Sequence, residues 1–181
     1  MELAGTDYRP ALAMAEREVS GLQARARNGE DIPQAAIEHA RRLASTAVRL
    51  APGLARAYGV LGATYTFPGQ DVTTGIMVAT RSFGEAPGQL DIAIDLVQLY
   101  AMDGRKAAAE AMVTRAIVPS GNEQRVAEAR ERIAVADFQR GVVLMKQGRK
   151  DEAALSLQAA NKESANPRLK TRIKALLSGA P

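Results

Sequence analysis

Helix-breaking residues divide the sequence into nine segments, each with apolar residues at helical spacing. In the first segment, apolar residues recur every three or four positions from Leu12 to Ala26, and Asn28-Gly29 follows. This spacing places them on one face of an α-helix, and glycine readily adopts the left-handed conformation that ends a helix. The pattern predicts helices over residues 11–27, 31–50, 54–66, 72–84, 90–102, 106–117, 123–147, 151–161 and 168–177. The short connections between them predict antiparallel neighbours.

The composition favours closely packed helices over β-architectures. Hydrophobic residues make up 46% of the chain, but only 4% of the residues are aromatic. Alanine, which is abundant here, is the best helix former and lets helix axes approach closely. Sandwiches and barrels need β-branched and aromatic runs, and no segment has the alternating pattern of a strand. We therefore expect an all-α fold.

Packing residues recur along the chain at an interval of about 35 positions. Leu61 and Tyr65 return as Leu96 and Tyr100. One set of mostly small residues occurs four times, as Ala40, Ala44 and Ala47, then Gly75, Ala79 and Ser82, then Ala109, Val113 and Ala116, and last Ala153, Leu157 and Ala160. A single helix hairpin cannot bury its apolar face alone, so repeated hairpins are expected to stack on one another.

This pattern resembles tetratricopeptide repeats over residues 34–161, most strongly over 54–119. That family repeats two antiparallel helices about every 34 residues, with large and small residues at fixed positions and a proline at the exit. The matching residues are Tyr58, Leu61, Gly62, Tyr65, Gly75, Ala79, Ser82 and Pro87, followed by Leu96, Tyr100, Gly104, Ala109, Ala116 and Pro119. Val97 stands where the family has a small residue, and Arg140 and Leu144 replace the expected leucine and aromatic in the last unit.

The resemblance implies an α-solenoid of about four antiparallel hairpins with a C-terminal capping helix. Its units span residues 8–52, 54–88, 90–121 and 123–165, its cap spans 167–178, and all of them form one domain over 1–181, which could belong to a longer protein. No comparable cover precedes residue 8. We therefore expect an uncapped N-terminal end that could pair with a second copy or follow earlier repeats.

Several classes of chemistry are excluded or disfavoured. The chain has no cysteine and a single histidine, His39, which rules out thiolate metal sites, cysteine nucleophiles and pairs of histidine ligands. His39 is expected at the surface or half-buried. Asp91 and Asp95 share a helix face without a third ligand, so both are expected to be solvated. The loop 67–71 lacks the Gly-Lys-Ser/Thr of a phosphate-binding loop. We expect no enzyme, no cofactor and no metal.

In tetratricopeptide arrays the first helices of successive units line a concave groove. The resemblance therefore implies a partner-binding groove lined by Arg56, Ala63, Phe67, Asp91, Gln98, Met102, Phe138, Val142, Met145 and Lys146. This mixture suits a peptide or an amphipathic helix better than a small metabolite. Phe138, Val142 and Met145 form a second apolar stripe on the long helix, which is either buried between neighbours or exposed in the groove.

The leading functional hypothesis is a non-catalytic scaffold for protein–protein interaction. One alternative is a regulatory or assembly tail of a larger bacterial enzyme or export protein. Another is weak binding of nucleic acid or an acidic partner through residues 125–174, because 122–181 contain twelve basic and seven acidic residues. No apolar run approaches the roughly 18 residues of a membrane helix, and the N-terminus lacks the features of a signal peptide. We expect a soluble cytoplasmic protein, or an exported one if the sequence is part of a longer chain.

Overall fold

The computed structural model describes residues 7–179, and this part of the chain is helical and contains no β-strand. The helices are α1 (Arg9–Arg27), α2 (Gln34–Leu50), α3 (Ala55–Ala63), α4 (Val72–Glu85), α5 (Leu90–Met102), α6 (Lys106–Met112), α7 (Glu123–Lys146), α8 (Lys150–Glu163) and α9 (Pro167–Leu177). A π-helical segment, Val113–Ile117, and a 3-10 turn, Val118–Ser120, extend α6. The all-α prediction is confirmed for this range. Residues 1–6 and 180–181, which the single-domain prediction includes, lie outside it.

Local signals mark the beginning or the end of several helices. The side chains of Asp71, Asn122 and Asn166 accept hydrogen bonds from backbone N–H groups in the first turns of α4, α7 and α9. Glycines with positive φ follow α1 and α7, at Gly29 and Gly148. The turns between the helices are therefore encoded locally.

The third helix is shorter than predicted and ends at Ala63 instead of Thr66. The hydroxyl groups of Thr64 and Thr66 donate hydrogen bonds to the carbonyl oxygens of Leu61 and Ala63. Threonine side chains that bond the preceding turn in this way compete with continued helix. The chain then turns and places Phe67 in the core.

Contacts among the odd-numbered helices form a closed sequence. Helix α1 contacts α3, α3 contacts α5, α5 contacts α7, and α7 contacts α1. Each of these four helices also packs against the even-numbered helix that follows it. The π-helical segment after α6 contacts α7. Helices α1, α3, α5 and α7 therefore surround a common interior.

Small residues permit the close approach of paired helices. A Cβ atom on Gly75 of α4 would lie 2.5 Å from the Cβ of Tyr65, which follows α3. A Cβ atom on Gly141 of α7 would lie 2.7 Å from the Cγ of Leu157 on α8. The alanines at the recurring positions of α2, α4, α6 and α8 are buried, namely Ala40, Ala44, Ala47, Ala79, Ala109, Ala153 and Ala160. Larger side chains would push these helices apart.

Helix α9 packs on α8, as expected of a C-terminal cap, but it also reaches the turn after α1. The side-chain amide of Asn166 donates to the carbonyl oxygen of Arg27 at 2.8 Å. Leu169 and Arg172 lie so close to Gly29 that a Cβ there would approach them at 3.2–3.3 Å. The last described helix therefore covers part of the first hairpin.

None of the helices in residues 7–179 combines the length and the apolar character that a membrane crossing requires.

Candidate functional site

Two cavities open between the helices, and they share no lining residue. The first, which we call the polar cavity, has a volume of about 610 Å³ and lies between α1, α3, α5 and α7. Its charged lining residues are Glu16, Arg27, Arg56, Asp91, Asp95, Arg125, Glu128 and Arg132. The second, which we call the apolar cleft, has a volume of about 420 Å³ and lies between the α1–α2 turn, the second half of α7 and α9.

Ion pairs between different helices surround the polar cavity. They are Arg56–Glu16 between α3 and α1, Arg125–Asp91 between α7 and α5 at 2.7 Å, and Arg27–Glu128 between α1 and α7 at 3.1 Å. Arg125 also binds Glu128 at 2.8 Å, so positive and negative groups alternate from Asp91 to Arg27. Its hydrogen bond to Glu128 raises the pKa of the Arg125 guanidinium. The lining is thus rich in charge but locally balanced.

A buried hydrogen-bond network joins the four inner helices beneath these pairs. Arg132 on α7 donates to Gln98 Oε1 on α5 at 2.8 Å and to Gln23 Oε1 on α1 at 3.0 Å. Gln23 donates to Asp95 Oδ1 on α5 at 2.9 Å, and Gln98 donates to the carbonyl oxygen of Thr66 after α3 at 2.8 Å. Because each member is buried, the loss of one partner would leave another polar group unsatisfied in the interior.

The expectation that Asp91 and Asp95 are both solvated is wrong for Asp95. The Asp91 side chain is 77% exposed, whereas the Asp95 side chain is only 11% exposed. Burial raises the pKa of Asp95 to about 6, against the attraction of Arg132 at 3.8 Å and the hydrogen bond from Gln23. Burial also lowers the pKa of Arg132. Every residue from Ile92 to Leu99 is buried, so α5 is enclosed on all sides. Its apolar character around the whole helix is the signal that could have revealed this.

One lining residue of each cavity has a buried donor atom without an acceptor among the described residues. These atoms are Nε of Arg132 and Nε2 of Gln139. Buried polar groups usually have a hydrogen-bond partner. Because both atoms are enclosed by protein, neither is open to a ligand in its cavity.

The apolar cleft has a hydrophobic surface with charges at its edge. Its apolar lining residues include Ile32, Pro68, Phe138, Val142, Met145 and Leu176. Phe138 is buried and packs with α8 and α9, whereas Met145 is 38% exposed. The second stripe of α7 therefore passes from the core at Phe138 to the surface at Met145. Two basic and two acidic residues also line the cleft, namely Lys146, Arg172, Glu30 and Asp31. Glu30 pairs with Arg25 at 3.0 Å, whereas the other three form no ion pair within residues 7–179.

The ten groove residues implied by the resemblance do not share one surface. Arg56, Ala63 and Asp91 line the polar cavity. The four on α7 line the apolar cleft, namely Phe138, Val142, Met145 and Lys146. The remaining three, Phe67, Gln98 and Met102, line neither cavity.

These three side chains have packing roles instead. Phe67 is fully buried in a cluster with residues of α1 and α2, and Gln98 belongs to the buried network. Met102 is partly buried against a core cluster formed mainly by α5 and α7. A partner in either cavity would not touch Phe67 directly, because its side chain has no exposed surface.

The described range contains no cluster of candidate metal ligands. His39 is exposed on α2, as expected. No group of three histidine, aspartate or glutamate side chains in residues 7–179 could hold a metal ion. The arrangement in both cavities instead offers paired charges, amide donors and apolar surface, which are groups suited to binding.

No protein-family model matches this chain, and no curated protein matches it. The resemblance to tetratricopeptide repeats therefore depends on the recurring residues alone, and a function has to be argued from the two cavities.

Proposed function

We propose that the protein is a non-catalytic helical-repeat scaffold that binds a short amphipathic helix of another protein in the apolar cleft. The observation that carries the proposal is the exposed side of α7 at Met145, which continues a hydrophobic surface between α9 and the α1–α2 turn. Methionine adapts well to the irregular surfaces of bound helices. Grooves of this kind typically receive apolar side chains spaced three or four residues apart.

The scaffold part of the proposal is supported by the packing of the hairpins. Contacts pass from α1 to α3, α5 and α7 in turn, which is the order expected of the first helices in a stacked array. Most of the small residues that recur in the second helices are buried. Both features support a stack of hairpins, whereas the contact between α7 and α1 departs from a linear solenoid.

The charges at the edge of the cleft define the chemistry of the partner. Lys146 on α7 and Arg172 on α9 are without acidic partners in the described range, so a carboxylate on the bound helix could pair with them. Asp31, on the α1–α2 turn at the other side of the cleft lining, offers a carboxylate to a basic group. We therefore expect a helix whose apolar stripe is bordered by aspartate or glutamate on the side that faces α7 and α9.

The proposal can be tested with synthetic helical peptides and fluorescence anisotropy. One peptide carries an apolar stripe bordered by glutamates, a second has lysines in their place, and a third has the apolar positions scrambled. We expect the acidic amphipathic peptide to bind at least about tenfold more tightly than the other two, since both surface types contribute. Equal binding of all three peptides would contradict the proposal, as would the absence of binding.

The site is assigned by a matched pair of methionine variants. Met145→Glu places a charge in the cleft and is expected to abolish binding of the acidic peptide. Met77→Glu makes the same change at a 65% exposed position on α4, which does not line the cleft, and should leave binding unchanged. Circular dichroism checks that both variants stay helical. Met102 is unsuitable for this test because its side chain is partly buried.

A further inference from the structure

We propose that the polar cavity binds a small zwitterion, a molecule that carries both an ammonium group and a carboxylate, such as a free α-amino acid or a dipeptide. This inference goes beyond the proposed function and concerns a different cavity, since the polar cavity and the apolar cleft share no lining residue. Its volume of about 610 Å³ lies in the range of small-molecule sites.

The balance of charge in the cavity decides the class of ligand. Four arginines and four carboxylates line it, and each arginine lies within ion-pair distance of a carboxylate. A polyanion or a polycation would therefore find no excess of opposite charge to attract it. A zwitterion can pair with both signs and leaves no net charge in a space partly removed from water.

The donors that remain available suit a carboxylate. Arg56 uses Nε and Nη2 to bind Glu16, and none of the hydrogen bonds in the described range uses its Nη1. Its side chain is 62% exposed, so this donor can be reached by a ligand. Charge-assisted hydrogen bonds from guanidinium groups to a carboxylate are among the strongest polar contacts in proteins. The carboxylate of the ligand is therefore assigned to Arg56.

The acceptors that remain available suit an ammonium group at the opening. Asp91 is 77% exposed and contacts Arg125 through Oδ1, so its second oxygen can accept from a ligand. Ser20 also lines the cavity. A ligand with its carboxylate at Arg56 on α3 and its ammonium at Asp91 on α5 would lie between these two helices.

Isothermal titration calorimetry with blocked and unblocked ligands tests the inference. The panel contains the free amino acids, a set of dipeptides, and the N-acetyl and amide derivatives of each ligand that binds. We expect at least one free zwitterion to bind, and both of its blocked derivatives to bind at least about tenfold more weakly, because each has lost one charged contact. Tighter binding of a free amino acid than of the dipeptides that contain it would identify amino acids as the ligand class, and the opposite order would identify dipeptides. Failure of every zwitterion to bind, or equal binding of a blocked derivative, would overturn the inference.

Variants of exposed lining residues then locate the site. Asp91→Asn and Arg56→Gln each remove one charge from the lining. Each is expected to weaken binding of the zwitterion by about tenfold. Asp103→Asn and Arg149→Gln make the same changes in ion pairs away from the cavity and should leave affinity unchanged. If Asp91→Asn binds as the unmodified protein does, or if the control variants are weakened equally, the site is elsewhere and the inference fails.

A cross-test separates this inference from the proposed function. Met145→Glu, which should abolish binding of the acidic peptide in the apolar cleft, is expected to leave zwitterion binding unchanged. Asp91→Asn is expected to leave peptide binding unchanged. Each proposal can therefore fail while the other stands, and a change in both activities by either variant would contradict the independence of the two cavities.

Discussion

Nη2 of Arg132 on α7 donates a hydrogen bond to Oε1 of Gln23 on α1 at 3.0 Å, although 109 positions separate the two residues. Both side chains are buried, and both are also connected to α5 through Gln98 and Asp95. This contact therefore fixes the first of the inner helices against the last of them. Both residues also line the polar cavity.

Replacement of Arg132 by methionine is expected to lower the free energy of unfolding by about 3 kcal/mol or more, because Asp95, Gln23 and Gln98 lose a buried partner. Urea denaturation followed by circular dichroism measures the change. Arg130→Met, on the exposed side of the same helix, serves as the control and should change stability by no more than about 0.5 kcal/mol. If the two variants are equally stable, the network does not stabilise the fold.

The double variant Arg132→Met with Asp95→Leu tests the same idea from the other direction. It leaves no buried charge, so it should recover part of the stability lost in Arg132→Met. A double variant that is less stable than Arg132→Met alone would show that the cost arises from packing and not from an unpaired charge.

Asp95 is expected to make stability depend on pH below neutrality. Its pKa is raised to about 6, so between pH 4 and pH 6 the folded protein retains a proton that the unfolded chain has released. The contribution of Asp95 to the free energy of unfolding therefore decreases as the pH rises through this window and is constant above it. A shift of about two pKa units corresponds to about 3 kcal/mol.

The comparison with Asp95→Asn isolates this effect from the other carboxylates. The difference in unfolding free energy between the unmodified protein and Asp95→Asn should fall as the pH rises from 4 to 7. The opposite slope would mean that the attraction of Arg132 outweighs burial and holds the pKa of Asp95 below its ordinary value.

The helices themselves were predictable because their signals are local. Apolar residues at spacings of three and four, with glycine or proline between segments, predicted nine helices, and the described residues contain them. The error at Thr66 arose because hydroxyl groups of Thr64 and Thr66 bond the preceding turn, which hydrophobic periodicity does not detect.

The site was predicted only in part because its residues meet across long separations. Gln23 and Arg132 each lie next to apolar residues in sequence, and nothing local shows that they face one another. The family pattern fits the first unit only in its second helix, so residues of α1 such as Glu16 and Arg27 were not considered. The sequence therefore predicted a single groove, whereas the structure divides seven of the predicted groove residues between two separate cavities.

Gly75→Ala is expected to destabilise the protein by about 1–3 kcal/mol, because the added Cβ would lie 2.5 Å from the Cβ of Tyr65 and 2.9 Å from Cδ2 of Leu99. Gly84→Ala is the matched control on the same helix. A Cβ at Gly84 meets no heavy atom within 4 Å, so this change should stabilise the helix by about 0.5–1 kcal/mol. Thermal unfolding compares the two variants, and a change of the same sign in both would contradict the close approach of α4 to Tyr65 and to Leu99 on α5.

Asn166→Ala is expected to cost about 2 kcal/mol, since it removes both the cap of α9 and the hydrogen bond to the carbonyl oxygen of Arg27. Asn166→Asp keeps an acceptor for the cap but cannot donate to Arg27, so it should cost less. Asn122→Ala removes a cap alone, with an expected loss of about 1 kcal/mol. A cost for Asn166→Ala no larger than that for Asn122→Ala would mean that the contact with Arg27 contributes nothing.

The contact between the start of α9 and the turn after α1 affects how the protein unfolds. In a linear array each unit contacts only its neighbours, and the terminal units can fray one after the other. Here the hydrogen bond from Asn166 to Arg27 spans 139 positions and ties the last described helix to the first hairpin. Loss of either helix removes support from the other, so the two extremities are expected to melt in a single cooperative step.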